Sequence, residues 1–130
     1  MNIKTLVPPL ELCKLIPEGE FEDSAMVRCD RKPYILRREW IRKDAGRKDN
    51  VFPAPTVQEI LEDLLKNTGS VFVKWSEIAY HGWFVDVCND RKSWRKDDRN
   101  LVIAAMQTWL NMKGINYPGE MEKLLDFRGE

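Results

Sequence analysis

Histidine is almost missing from this chain: His81 is the only one among 130 residues. The three cysteines, Cys13, Cys29 and Cys88, lie far apart and never in CxxC spacing. No zinc site can be written from such a set. An odd number of scattered thiols also excludes a disulfide framework and points to a reducing, cytoplasmic setting. Long apolar runs are missing too. Pro8, Pro9, Glu11 and Lys14 interrupt residues 1–16 where a signal peptide needs an apolar core, and no stretch approaches the roughly 20 apolar residues of a membrane span. Gly46, Gly69, Gly82 and Gly114 stand singly, which excludes the GxGxxG and GxxxxGK[ST] phosphate loops. Net charge is absent as well: 21 Lys and Arg face 21 Asp and Glu. That balance rules out a uniformly basic coat for nucleic acid and a disordered acidic tail. No internal repeat or low-complexity tract is present.

Catalytic constellations are equally scarce. None of the cysteines has an activating neighbour beside His81 in sequence, so nucleophilic catalysis finds no support. His81 reads as a turn or partly packed residue, and Cys29 and Cys88 as small buried hydrophobes. Glu77, Asp86 and Asp90 are the one carboxylate set to be drawn around a magnesium ion. Asp86 shares a strand face with Phe84 and Cys88, and an edge position would explain it more simply. No catalytic, cofactor or metal residue is assigned, and a non-enzymatic protein is expected.

What is present describes a small globular chain, 43% hydrophobic and 32% charged. Its length favours one domain over residues 1–130, with a core that needs no staples. PPLELCKLI suggests a helix over 9–16, seated on Pro8 or Pro9, with Leu10, Cys13, Leu15 and Ile16 on its sticky face. AMVRC and PYILRREWI read as a hairpin over 25–41 that turns at Asp30, Arg31 and Lys32. RKDAGRKDN (42–50) reads as a loop.

In NVFPAPTVQEIL, Pro53 and Pro55 hold the preceding residues out of the helical region. Thr56 and Glu59 then form a capping box for a helix over 57–67. Ile60, Leu61, Leu64 and Leu65 share one face of it, and Gly69 ends it.

VFVKWSEIAY and GWFVDVC predict a second hairpin over 71–88, near His81 and Gly82 at its turn. Val71, Val73 and Trp75 face one way, Phe72 and Lys74 the other. NDRKSWRKDDRN (89–100) reads as a polar connection in which Asp97 or Asp98 caps a helix over 99–113. That helix is apolar over much of its circumference and ends at Gly114. Pro118 starts a short helix over 119–126 with Met121, Leu124 and Leu125 inward. The fold class is α+β: a small antiparallel sheet from two hairpins, packed by helices.

LELCKL (10–15), MVRCDRKPYIL (26–36), APTVQEILEDLL (54–65), VFVKW with GWFV (71–75, 82–85) and TWLNMKG (108–114) carry a resemblance. In these motifs the chain resembles small proteins of unknown function encoded by phages, prophages and mobile elements. It departs from that pattern in its basic linker over 37–48 and its longer tail. The resemblance implies a provenance and brings no catalytic residues.

Charge is unevenly placed. Residues 28–48 hold nine basic residues (Arg28, Arg31, Lys32, Arg37, Arg38, Arg42, Lys43, Arg47, Lys48) against Asp30, Glu39 and Asp44, a local excess of six. Arg91, Lys92, Arg95, Lys96 and Arg99 surround Trp94. Cations beside aromatic rings suit phosphates and stacked bases, although exposed charge runs usually serve solvation. Of five tryptophans, Trp75, Trp83 and Trp109 fall in core patterns, while Trp40 and Trp94 are flanked by charge. Two readings follow. The first is an interaction module that binds a protein partner or itself through Trp40 and Trp94. The alternative is a nucleic-acid-binding protein using Arg37, Arg38, Arg42, Lys43, Trp94, Arg95 and Lys96.

Overall fold

The computed structural model describes residues 7–29, 35–37, 51–78 and 82–115. Its elements are α1 (Leu10–Cys13), β1 (Met26–Cys29), β2 (Ile35–Arg37), β3 (Val51–Pro53), α2 (Val57–Thr68), β4 (Ser70–Ser76), β5 (Gly82–Cys88), β6 (Ser93–Asp98) and α3 (Leu101–Met112). The class is α+β. Both hairpins form, but in separate antiparallel sheets of three strands, ordered β2-β1-β3 and β4-β5-β6. No helix among the described residues is long and apolar enough to cross a membrane. The helix expected over 119–126 and the turn at 30–32 lie outside the described residues.

Each sheet gains a third strand that the sequence did not announce. Val51, Phe52 and Pro53 pair with Cys29, Arg28 and Val27, and the Ala54 amide donates to the Met26 carbonyl at 3.0 Å. A proline is tolerated because β3 is an edge, where its missing donor faces away from the ladder. β6 forms within the stretch expected as a polar connection. Asn89 drives the reversal: its Oδ1 accepts from the amides of Arg91 and Lys92, both at 2.8 Å, and its own amide donates to the Lys92 carbonyl. An Asx turn of this kind substitutes a side chain for a backbone turn. The charged run SWRKDD is thereby laid along β5 from Cys88 to Trp83.

The helix ends follow local chemistry. The capping box at α2 is complete: Thr56 Oγ1 accepts from the Glu59 amide, and Glu59 Oε1 accepts from the Thr56 amide at 2.8 Å. Glu59 Oε2 also accepts from the amide of Ala25, just before β1. Gly69 closes α2 in the left-handed conformation, φ 91°, donating to the Leu65 carbonyl. α3 is capped by Asn100, whose Oδ1 accepts from the Val102 amide, and not by Asp97 or Asp98. Strand β6 runs through both aspartates, and Asp98 instead accepts from the Asn100 amide. α1 is shorter than 9–16 because Leu15 and Ile16 donate three residues back, to Leu12 and Cys13, in a tightened final turn.

The core gathers on one face of the second sheet. Val85 and Val87 of β5 pack with Ile60 and Leu64 of α2 and with α3, whose residues from Val102 to Leu110 are all buried. Trp109 is fully buried, and its indole Nε1 donates to Asp63 Oδ2 at 2.7 Å. Phe21 lies against the same ring at 4.9 Å, and Lys113, 5.6 Å from it, pairs with Glu20. Gly82 opens β5 against the β6–α3 junction, where a Cβ would stand 2.6 Å from the Asp98 carbonyl oxygen. A smaller cluster, Val7, Cys13 and Ala54 with Met26 and Phe52, underlies the first sheet. α1 and the turn after it join the two, sending Leu12 and Ile16 into the larger cluster and Cys13 into the smaller.

Candidate interaction surface

In an antiparallel ladder, directly opposed residues share a face. Val71, Val73 and Trp75 of β4 oppose Val87, Val85 and Trp83, which in turn oppose Trp94, Lys96 and Asp98. This is the inner face, where Val71, Val73 and Trp94 pack on the core. Phe72 and Lys74 oppose Asp86 and Phe84, beside Arg95 and Asp97, on the outer face.

β4 is one edge of this sheet, and β6 is the other. An edge strand presents a row of unpaired amides and carbonyls to whatever approaches. Beyond the β4–β5 ladder, Val71 to Trp75 make no hydrogen bond among the described residues. The large exposed hydrophobic groups fall in the same stretch of chain: Leu65 (51% exposed), Phe72 (54%), Trp75 (46%) and Ile78 (92%). All four fall between the last turn of α2 and the turn after β4. Among the described residues no other large apolar side chain is so exposed. Trp75 was expected in the core. It sits instead at the open end of the inner face, against Trp83 with ring centroids 5.3 Å apart in an edge-on arrangement.

The opposite edge differs in kind. Four of the six β6 residues are charged: Arg95, Lys96, Asp97 and Asp98. Charged side chains are how natural sheets protect an edge from pairing. β4 carries a single charge, Lys74.

The expected site residues scatter around this frame. Trp94 is half-buried and packed on the core. Arg95 and Lys96 project to opposite faces of β6, and the Arg95 guanidinium lies over the Phe84 ring at 5.1 Å. Arg37 is exposed on β2, in the other sheet. Arg38, Trp40, Arg42 and Lys43 lie outside the described residues. Arg28, counted with the basic stretch, turns inward: it is 9% exposed, and its Nε donates to the Pro8 carbonyl.

The cysteines sort differently from expectation. Cys13 is buried, Cys29 half-buried and Cys88, the last residue of β5, exposed on the outer face. Cys13 Sγ donates to the Pro8 carbonyl, and burial pushes its thiol up to about 12 despite the opposing pull of Arg28. Burial also lowers the pKa of Arg28.

Asp86 is not at an edge. It sits in the central strand β5, opposite Phe72 and Arg95, with Oδ1 buried and, among the described residues, without a hydrogen-bond partner. Its would-be magnesium partners are strung along the sheet, Glu77 in the β4–β5 turn and Asp90 past the other end of β5. Among the described residues no group of three or more His, Cys, Asp or Glu could hold a metal ion. His81 lies outside the described residues.

Sequence reasoning missed Phe72 and Trp75 as surface groups because periodicity gives a strand's faces but not its place in a sheet; it also put Leu65 on the packed face of α2, where it is exposed. One signal was present: β4 is poor in the charges that protect an edge. Compared with protein-family models, characterised proteins and solved structures, the chain matches nothing.

Proposed function

We propose that the protein is a non-enzymatic interaction module that engages a protein partner through the outer edge of β4. One observation carries the reading: the exposed large apolar groups among the described residues lie on or beside a single nearly uncharged edge strand, Phe72 and Trp75 on it and Leu65 and Ile78 in the segments that flank it. Such an edge recognises an extended segment by main-chain hydrogen bonds, with pockets for alternate side chains. Phe72 and Trp75 supply the aromatic anchors in place of Trp94, which packs on the core. The setting is the cytoplasm, in keeping with three free thiols. A role as an accessory protein of a phage or mobile element follows from the resemblance in its motifs alone. The nucleic-acid alternative has less behind it, since Trp94 packs inward and Arg95 and Lys96 point apart.

The test is photocrosslinking in cells that express the protein. A benzophenone amino acid placed at Phe72 should capture a protein, whereas the same probe at Ser93, on the opposite edge, should not. Absence of any adduct at position 72 would overturn the reading.

A further inference from the structure

Resting on that reading, we infer that the partner is a second copy of this chain: two β4 strands pair antiparallel about a two-fold axis at Val73, joining two three-stranded sheets into one of six. The sequence of β4, SVFVKWS, is complementary to itself in this register. Val73 meets the second copy's Val73. Val71 meets Trp75, Ser70 meets Ser76, and Phe72 meets Lys74, each pair occurring twice.

Each pairing is chemically apt. Valine against tryptophan is the aromatic–β-branched pair that stabilises ladders, and a lysine over a phenylalanine ring gains a cation–π contact. The only charge of the strand therefore faces an aromatic ring, not its own copy. A two-fold at Lys74 would oppose two like charges, and one at Phe72 would leave each lysine against a serine. The register at Val73 avoids both.

The groups flanking β4 agree with this arrangement. Antiparallel pairing carries Ile78 of one copy past Ser70 of the other, towards the last turn of α2. There Leu65 lies exposed, its carbonyl accepting from the Gly69 amide. Phe72 and Trp75 thus fall within the ladder itself, and Leu65 and Ile78 belong to the segments at its two ends. The contact also closes on itself: both β4 edges are consumed, and the charged β6 edges left outside resist further pairing.

Sedimentation equilibrium of the purified chain tests this, from about 5 to about 500 µM, the range expected of an interface below standard size. A monomer–dimer equilibrium is expected. Phe72→Lys sets a lysine opposite Lys74 at both symmetric positions and should weaken dimerisation by roughly tenfold or more. Adding Lys74→Glu turns those contacts into Lys–Glu pairs and should restore it. Circular dichroism and melting of each variant show whether the fold is kept, which half-exposed Phe72 and exposed Lys74 permit.

A monomer at every concentration overturns the inference, as does a dimer indifferent to Phe72→Lys or not rescued by Lys74→Glu. If the purified chain is monomeric but the probe at position 72 captures a different protein in cells, only the second copy is rejected. If it captures nothing, the interaction reading falls as well.

Discussion

Single residues here are governed by what burial does to polar groups. Cys13 and Arg28 share the Pro8 carbonyl inside the junction of α1 and β1. Burial holds the thiol at about 12 against an ordinary 9.0, so the native state keeps its proton after the unfolded chain has lost its own. The sign follows from linkage: the thiol adds no pH dependence below pH 9, and stability falls between pH 9 and about 12. The slope is at most about 1.4 kcal/mol per pH unit, and Arg28, with its lowered pKa, offsets part of it at the alkaline end. Urea titrations from pH 8 upward should show this loss, and Cys13→Ala should flatten it. A thiol reagent at pH 8 should modify exposed Cys88 readily, and Cys13 only on unfolding. Asp86 illustrates the opposite case. Its Oδ1 has no partner among the described residues and lies in a central strand, where a carboxylate costs stability unless something pairs with it.

Elements, in turn, are placed by their ends. Glu59 does more than close a capping box: one oxygen serves the Thr56 amide, while the other reaches the Ala25 amide at the entry to β1. Glu59→Ala should therefore cost more than Thr56→Ala. The expected losses are about 1 kcal/mol for the threonine cap and about 2 kcal/mol for the glutamate. Thermal melts of the two variants check the order, and equal losses would show that the Ala25 contact contributes nothing. The start of α2 was legible in APT followed by Glu59, because capping depends on atoms within three residues of each other. β3 and β6 were not legible. Pro53 argues against a strand, and SWRKDD has no apolar alternation. Both form because β1 and β5 each offer a second hydrogen-bonding edge, which the Ala54 amide and the Asn89 turn allow the chain to reach.

For the molecule as a whole, α1 is the joint. Its four residues send Leu12 to the core under the second sheet and Cys13 to the cluster under the first. Leu12→Ala should cost about 2–5 kcal/mol. It should also loosen both sheets together, seen as a parallel loss of amide-exchange protection in β1 and β5. Loss of protection confined to β5 would mean that the two clusters are stabilised independently.

The sequence by itself determined the α+β class, the two hairpins, the start and end of α2, and the burial of α3. Each of these depends on periodicity or on bonds between near neighbours. Tertiary structure alone decided that the hairpins separate into two sheets, that Trp94 turns inward, and that Trp75 stays outside. It also decided that Asp86 occupies a central strand and that β4 is left at an edge. Whether a residue with a given pattern is covered depends on which strand lies beside it, and strand order is a long-range choice that local pattern does not encode.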